Sequence, residues 1–324
     1  MKTICYIVPY FGKLPKNFPL WLVGCEANPT IDWIIYTDDK TSYSYPKNVK
    51  CKYITFQELK EKIQGFYDFS LDLSRAWRLS LMKSAYGELF YEDIKSYDFW
   101  GYCDIDLMWG NIRKFYTDDV LNKYDRIGFQ GHSTLMRNSK ENNEIYKTIV
   151  EGNLSYKDIF SGKSDFSFDE NGMDLIYKSL NKPYYKEVNF ANLLKYNSGF
   201  FLGAMPENDA ENNRYQIFTW NKGTLLRNFI NHEGKVETQE FCYIHFWCRP
   251  MKYNVNTPTK DTLMYIYPDV MTDKPIGISV KSLKHYGKRY RICFLINSLW
   301  VNRHKLTMKR ILFNLKNMNK KAYE

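Results

Sequence analysis

The sequence lacks several patterns that would settle its class at once. It has no run of about 18 apolar residues, so no membrane-spanning helix is expected. Its seven cysteines (Cys5, Cys25, Cys51, Cys103, Cys242, Cys248 and Cys293) are odd in number and scattered, with no CxxC pair. That spacing argues against a disulfide framework and a zinc cluster, and reduced cytosolic thiols are the simplest account. The opening MKTICYIVPYFG is closed by Pro9 and Gly12 before a leader's apolar core could form, so no signal peptide is expected. No internal repeat or low-complexity stretch precedes residue 281, and no RNP-type run marks an RNA-binding sheet.

Acid is nearly missing from the last 44 residues. Lys281 to Glu324 carries twelve Lys and Arg against one acid, a charge of +11. The whole chain of 324 residues is +10, so residues 1–280 are −1. A protein that grips a nucleic-acid backbone needs basic surface on its folded body. Here only the tail is basic, so no nucleic-acid partner is expected. Ile311, Leu312 and Leu315 fall at helical spacing among the tail's basic residues. A basic amphipathic helix of this kind can lie on anionic lipid or pack on the body. The expectation is a cytoplasmic protein, peripheral on the inner membrane face through residues 281–324. Aromatic residues are abundant at 17 %, with 27 Tyr. Their flat faces and polar edges suit sugars and bases as well as a core.

Strand and helix alternate over the first hundred residues. Residues 3–9, 31–37 and 49–54 read as strands. Phe18 to Asn28 has helical spacing and stops before Pro29. Thr55 and Glu58 match a capping box, which predicts a helix over 55–64. Ser70 to Tyr91 reads as mostly helical, with a break near Gly87. Tyr97 to Cys103 is an aromatic-rich strand. Beyond Gly110 the pattern is less regular, with strands expected at 125–130, 132–137, 196–204 and 241–247, and helices at 140–150 and 172–181. The alternation predicts an α/β fold, a mixed and mainly parallel sheet flanked by helices. One domain is expected over 1–280, with a nucleotide-sugar half to about 137 and an acceptor half from about 138, then the tail. Ligands of such sheets bind beyond the carboxyl ends of the strands. Pro9-Tyr10-Phe11, Asp38-Asp39 and Asp104-Ile105-Asp106 all fall there.

Asp104 and Asp106 stand two apart at a strand end. An acid-x-acid pair turns up by chance, and exposed aspartates often only start turns. Two carboxylates that converge as a strand breaks also suit Mg²⁺ or Mn²⁺, hard cations that leave positions for substrate phosphates.

The stretch YDFWGYCDIDLMWGNIRKF resembles a signature of bacterial capsule and surface-polysaccharide glycosyltransferases. More distantly it is similar to glycosyltransferase family 8, whose GT-A fold carries a D-x-D metal site. The resemblance runs in blocks from Ile4 to about Met251. It includes VPYFG, AYGELF at 85–90, GHSTLMRN at 131–138, FDENG at 168–172 and YIHFWCRPM at 243–251. It implies Mn²⁺ or Mg²⁺ as cofactor, a UDP-sugar donor, and a glycan or lipid-linked oligosaccharide acceptor. Asp104, Asp106 and His245 would hold the metal. Pro9, Tyr10, Phe11 and Asp38 would line the nucleotide pocket, joined by Asp104. Arg78 and Lys83 would meet the diphosphate or donor sugar. Asp169 or Glu170 would serve as base if the reaction inverts, and retention is the favoured outcome by analogy. Asn197 would hold sugar hydroxyls, and His132 and Trp220 would face the acceptor or the core. The sequence departs from the resemblance at Leu81, where relatives often have an acid, and after His245-Phe246, where Gln and Lys are replaced by Trp247, Cys248 and Arg249. Three other readings stay open. One is a non-catalytic nucleotide-sugar or glycan-binding protein, another an RNA-binding protein. The third, a nucleotidyltransferase, would show a glycine-rich phosphate loop where this chain has VPYFGKLPKN.

Overall fold

The computed structural model describes residues 1–193, 200, 202–203, 213, 215–249 and 251–287. The chain divides into two compact units, Met1–Asn189 and the part from Phe190 onward.

The first unit is built on a six-stranded sheet. Its strands are β1 (Ile4–Pro9), β2 (Ile31–Thr37), β3 (Val49–Tyr53), β4 (Phe99–Cys103), β6 (Arg126–Gln130) and β7 (Ser133–Arg137), and a short β5 (Leu107–Trp109) follows β4. The order is β3-β2-β1-β4-β7-β6. The first four are parallel, and β7 and then β6 are added antiparallel. The expected α/β class, mixed and mainly parallel, is what the unit has. Every residue of β4 is buried, as a central strand covered on both faces requires. One face packs Tyr6, Trp21, Trp33 and Trp109 in ring contact. The other carries Trp100 and Tyr102 into a core with Leu79, Met82, Tyr86 and Tyr146.

Local signals explain most boundaries. The helix Phe18–Glu26 has proline in its first turn, where no amide partner is lost. Thr55 and Glu58 form the capping box expected of them, and the helix Phe56–Gln64 follows. Three helical expectations need correction. Over 70–91 the chain is helical only from Ala76, as a 3₁₀ helix over Ala76–Ala85 and an α-helix over Tyr86–Leu89, so the break expected near Gly87 is absent. The Gln64 amide reaches the carbonyl of Phe69 and the N–H of Leu71, and Asp72 accepts the Ser74 N–H. Side chains that take backbone partners in this way compete with helix formation. The 140–150 helix stops at Glu144 and tightens to 3₁₀ over Ile145–Lys147. The 172–181 helix spans Met173–Ser179 and is preceded by a π turn, Phe168–Gly172.

The second unit holds a sheet that the sequence reading did not foresee. Its strands are β9 (Gln216–Asn221), β10 (Thr224–Ile230), β11 (Val236–Phe241), β13 (Lys252–Asn254), β14 (Met264–Ile266) and β15 (Val270–Thr272), in the order β11-β10-β9-β14-β15-β13. All pairs are antiparallel except β13 with β15. Lys222 and Gly223, with φ of 50° and 82°, join β9 to β10 as a two-residue hairpin loop. Ile217, Tyr265, Tyr267, Val270 and Leu283 form its core, the last from the helix Val280–Tyr286. Apart from these, β8 (Ala191–Asn192) pairs in parallel with β12 (Tyr243–His245), which lies inside the apolar run expected near 241–247. Most of the strand expected at 196–204, and the tail from 288, lie outside the described residues. Among the described residues no helix is long and apolar enough to cross a membrane.

Candidate functional site

Three adjacent parallel strands end on one edge of the first unit. After β1, the Tyr10 N–H donates to the Tyr36 carbonyl at 2.8 Å. The exposed Asp38 at the end of β2 accepts the Gly12 N–H at 2.7 Å, and Asp39 accepts that of Leu14 at 2.9 Å. Bonds from the Thr41 side chain and from backbone amides hold the Asp39 carboxyl below its usual range. The β1 loop is thus tied to the β2 loop, with Pro9, Tyr10 and Phe11 half-buried and Phe11 packed on Phe56.

The acid-x-acid stretch lies at the end of β4. The Asp104 N–H donates to the His132 carbonyl at 3.0 Å. Ile105 is buried, and its carbonyl accepts from the Asn17 amide at 2.9 Å, which pins the loop between the two acids. Both aspartates are half-buried, and carboxylate oxygens of the two lie within 4.8 Å of each other. Lys83, buried in the 3₁₀ helix, donates to Asp104 Oδ1 at 2.6 Å and to the Gly131 carbonyl at 2.8 Å. Burial disfavours its charge, but Asp104 and Asp169 more than offset this and hold its pKa above the ordinary value.

Asp169 and Glu170 are set by the π turn, a local irregularity that is frequent at functional sites. The Asp169 main-chain carbonyl accepts from Arg126 Nη2 at 3.0 Å and from the Tyr102 hydroxyl at 3.4 Å. Glu170 Oε1 accepts the Gly131 N–H at 2.6 Å. A Cβ at Gly131 would stand 2.6 Å from Asp169 Oδ2 and 3.1 Å from Glu170 Oε1, so any larger residue there makes these carboxylates shift. Burial pushes the Asp169 carboxyl up to about 7, against the pull of Lys83 and with help from Glu170 and Asp104. Of the sequence-predicted residues, the structure thus brings Lys83 together with Asp104 and places Asp169 within their electrostatic reach.

Arg78, His132 and Trp220 take packed places of their own. Arg78 is buried and engaged by Asp72, by Asp165 at 2.6 Å and by the carbonyls of Asp72 and Ile159. These bonds give it an anchoring place between two loops. His132 is buried, with its carbonyl on Asp104. Trp220 is fully buried in β9, which puts it in the core of the second unit. Asn197 lies outside the described residues. His245 ends β12, buried, with Nδ1 2.8 Å from the Asn192 amide oxygen. Facing that oxygen Nδ1 is the donor, so the neutral ring carries its lone pair on Nε2.

Gly131, Tyr102 and Asn192 were missed by sequence reasoning. Gly131 opens a recognised block, yet nothing marked it as a contact of the acids. An Asn inside the apolar run Phe190–Leu193 was the one available sign for Asn192.

The first unit is therefore an α/β domain with a carboxylate pair at the carboxyl edge of its central parallel strand. The chain belongs to the family of unknown function DUF6625, whose model matches residues 6–275. A search of curated proteins finds no match. Among solved structures the chain is similar to mouse xyloside xylosyltransferase 1 in its apo form. That match has 10 % identity and a TM-score of 0.36, over 60 % of this chain and 88 % of that one. It is also similar to the galactosyltransferase LgtC with donor and acceptor sugar analogs, at 13 % identity and TM-score 0.35, over 59 % and 75 %. An active-site mutant of LgtC gives 11 % and 0.36, over 64 % and 80 %.

Proposed function

We propose that the protein is a metal-dependent glycosyltransferase of the GT-A type. It would move a hexose, galactose or glucose, from a UDP-sugar to a glycan or lipid-linked oligosaccharide acceptor in surface-polysaccharide synthesis. The observation that carries this reading is the Asp104–Asp106 pair at the end of β4, with Lys83 held on Asp104.

The donor set fits Mn²⁺ or Mg²⁺. Asp104 and Asp106 offer hard oxygen ligands, and His245 offers an imidazole nitrogen whose tautomer Asn192 fixes. A cation held there supplies charge neutralisation for a departing diphosphate. The protein's own part is to position and to supply charge. Asp38 steadies the β1 loop, where Pro9, Tyr10 and Phe11 wall the nucleotide. Lys83 adds a second positive charge beside Asp104. Asp169 is the carboxylate whose pKa suits acid–base work near neutrality if the reaction inverts. If it retains, the leaving phosphate oxygen takes the acceptor proton and no protein base is needed. Glu170 is committed to the Gly131 N–H.

A thermal-shift panel tests the reading. UDP, GDP, CMP and ADP are each added with Mn²⁺, Mg²⁺ or EDTA to the wild type and to Asp106→Ala. A ligand at 100 times its dissociation constant adds about 2.7 kcal/mol of stability, a shift of several degrees. The expected result is a UDP shift that needs the cation and is lost in the variant. No shift with any nucleotide at saturation overturns the proposal. A UDP shift without sugar transfer to any acceptor would leave a nucleotide-sugar-binding protein.

A further inference from the structure

The turn that follows His245 is built from residues its geometry disfavours. The Arg249 N–H donates to the Phe246 carbonyl at 2.8 Å and closes a four-residue turn. Its central residues, Trp247 and Cys248, have φ of 47° and 51°. Two successive positive φ values define a type I′ turn, which favours Asn-Gly, Asp-Gly or Gly-Gly because a Cβ crowds the backbone in this region. The β9–β10 turn solves the same problem with glycine at its second position. After His245 neither position is glycine, and the first is the largest side chain available.

The flanks hold this conformation in place. Phe246 is buried. Arg249 is buried too, its Nε donating to the Pro268 carbonyl at 2.6 Å and its guanidinium 5.6 Å from the Phe200 ring centre. Anchored flanks and a disfavoured tip are the signature of backbone strain kept for a purpose. What the tip presents is an indole that is 46 % exposed. Five other described tryptophans are buried, and Trp77, the remaining exposed one, lies against the Arg78 guanidinium.

We propose that Trp247 is a stacking platform for a hexopyranose ring of the acceptor glycan. A pyranose offers a flat face of C–H groups to an aromatic ring and hydroxyls at its rim to the indole N–H. Two residues of chain span at most about 7 Å, so the platform is fixed close to His245. This inference rests on the transferase reading, in which His245 is a metal ligand.

Saturation-transfer NMR on the full chain tests it, with methyl β-D-galactopyranoside and methyl α-D-glucopyranoside as probes. Trp247→Ala and Trp247→Phe are compared with the wild type, and a UDP–Mn²⁺ thermal shift is run on each. The wild type should transfer saturation to the ring C–H protons of at least one glycoside. Trp247→Ala should weaken that binding about tenfold, and Trp247→Phe should keep most of it. The UDP–Mn²⁺ shift should be the same in all three. An equal glycoside signal in Trp247→Ala overturns the proposal, as does no signal from the wild type. Loss of the UDP shift in Trp247→Ala also overturns it, since the indole would then serve the nucleotide. If no protein responds to UDP but the glycoside signal still depends on Trp247, the transferase reading falls and the platform stands. The double variant Trp247→Asn, Cys248→Gly should melt several degrees higher and lose the glycoside signal. An unchanged or lower midpoint would remove the strain from which the inference starts.

Discussion

Lys83 donates one hydrogen bond to the carboxylate of Asp104 and another to the carbonyl of Gly131, at 2.6 and 2.8 Å. One ammonium thus joins the end of β4 to the turn between β6 and β7. Breaking a buried pair by removing one partner costs roughly 3–5 kcal/mol. The Asp104 side chain is 36 % exposed, so solvent screens part of that loss. We expect Lys83→Met to lose about 2–3 kcal/mol, read by urea denaturation at neutral pH. A loss below about 0.5 kcal/mol, within the range of an ordinary surface substitution, would mean that the pair does not hold this corner together.

Asp169 titrates in a window set by its surroundings. Its folded pKa of about 7 lies above its ordinary 3.8, chiefly through burial. The folded state therefore holds a proton that the unfolded state releases first. The resulting stabilisation is complete below the unfolded pKa and is lost as pH rises through about 7. A shift of this size corresponds to on the order of 4 kcal/mol at full burial. Asp169→Asn should remove that slope, so wild type and variant differ most above about pH 7 and least near pH 4. Melting midpoints across the range check this, and parallel curves for the two proteins would place the Asp169 titration elsewhere.

Gly131→Ala should disturb the acids without touching them chemically. The added methyl would stand 2.6 Å from Asp169 Oδ2, so the buried carboxylate must shift. Overpacking of this kind costs about 1–3 kcal/mol. The steeper expectation is on pH, because pushing Asp169 out of its pocket lets it ionise as an ordinary carboxyl. Denaturation at two pH values measures both effects, and a variant with the wild-type slope would show that the pocket gives way elsewhere.

Much of the first unit was legible because its signals are local. Strand alternation, the Thr55–Glu58 capping box and the acid-x-acid strand end each sit within a few residues. The second unit was less so, since its strands are short and its sheet pairs β9 with β14 across more than forty residues. Its clearest local sign, Lys222-Gly223, is a hairpin turn with only one of the expected turn residues. The partners of the acids were hidden for a different reason. Gly131 acts by having no side chain, and Arg126 and Tyr102 act on a main-chain carbonyl. None of these leaves a chemical signature in the sequence.

Gly87, in the block AYGELF, packs against the core and makes a useful control. A Cβ at Gly87 would stand 2.5 Å from the Trp100 indole in the core. Gly87→Ala should cost about 1–3 kcal/mol in denaturant and leave nucleotide and cation binding unchanged in the folded fraction. A selective loss of UDP–Mn²⁺ response in a variant of normal stability would reverse that assignment.

Asn192 offers the sharpest test of the metal reading, because it changes no proposed ligand. Its amide oxygen faces His245 Nδ1 at 2.8 Å and keeps the lone pair on Nε2. Outer partners of ligating histidines commonly contribute 10–100-fold to metal affinity, by fixing the tautomer and the ring angle. Asn192→Leu keeps the branched outline of the side chain and removes the acceptor. We expect Mn²⁺ affinity, followed by the EPR signal of unbound Mn²⁺, to fall by about that factor. Asn192→Asp restores an acceptor at the same place and should recover most of the affinity. Urea denaturation of both variants separates this effect from a loss of fold. Equal affinity in all three proteins would take His245 out of the coordination sphere and leave the two aspartates to hold the cation without it.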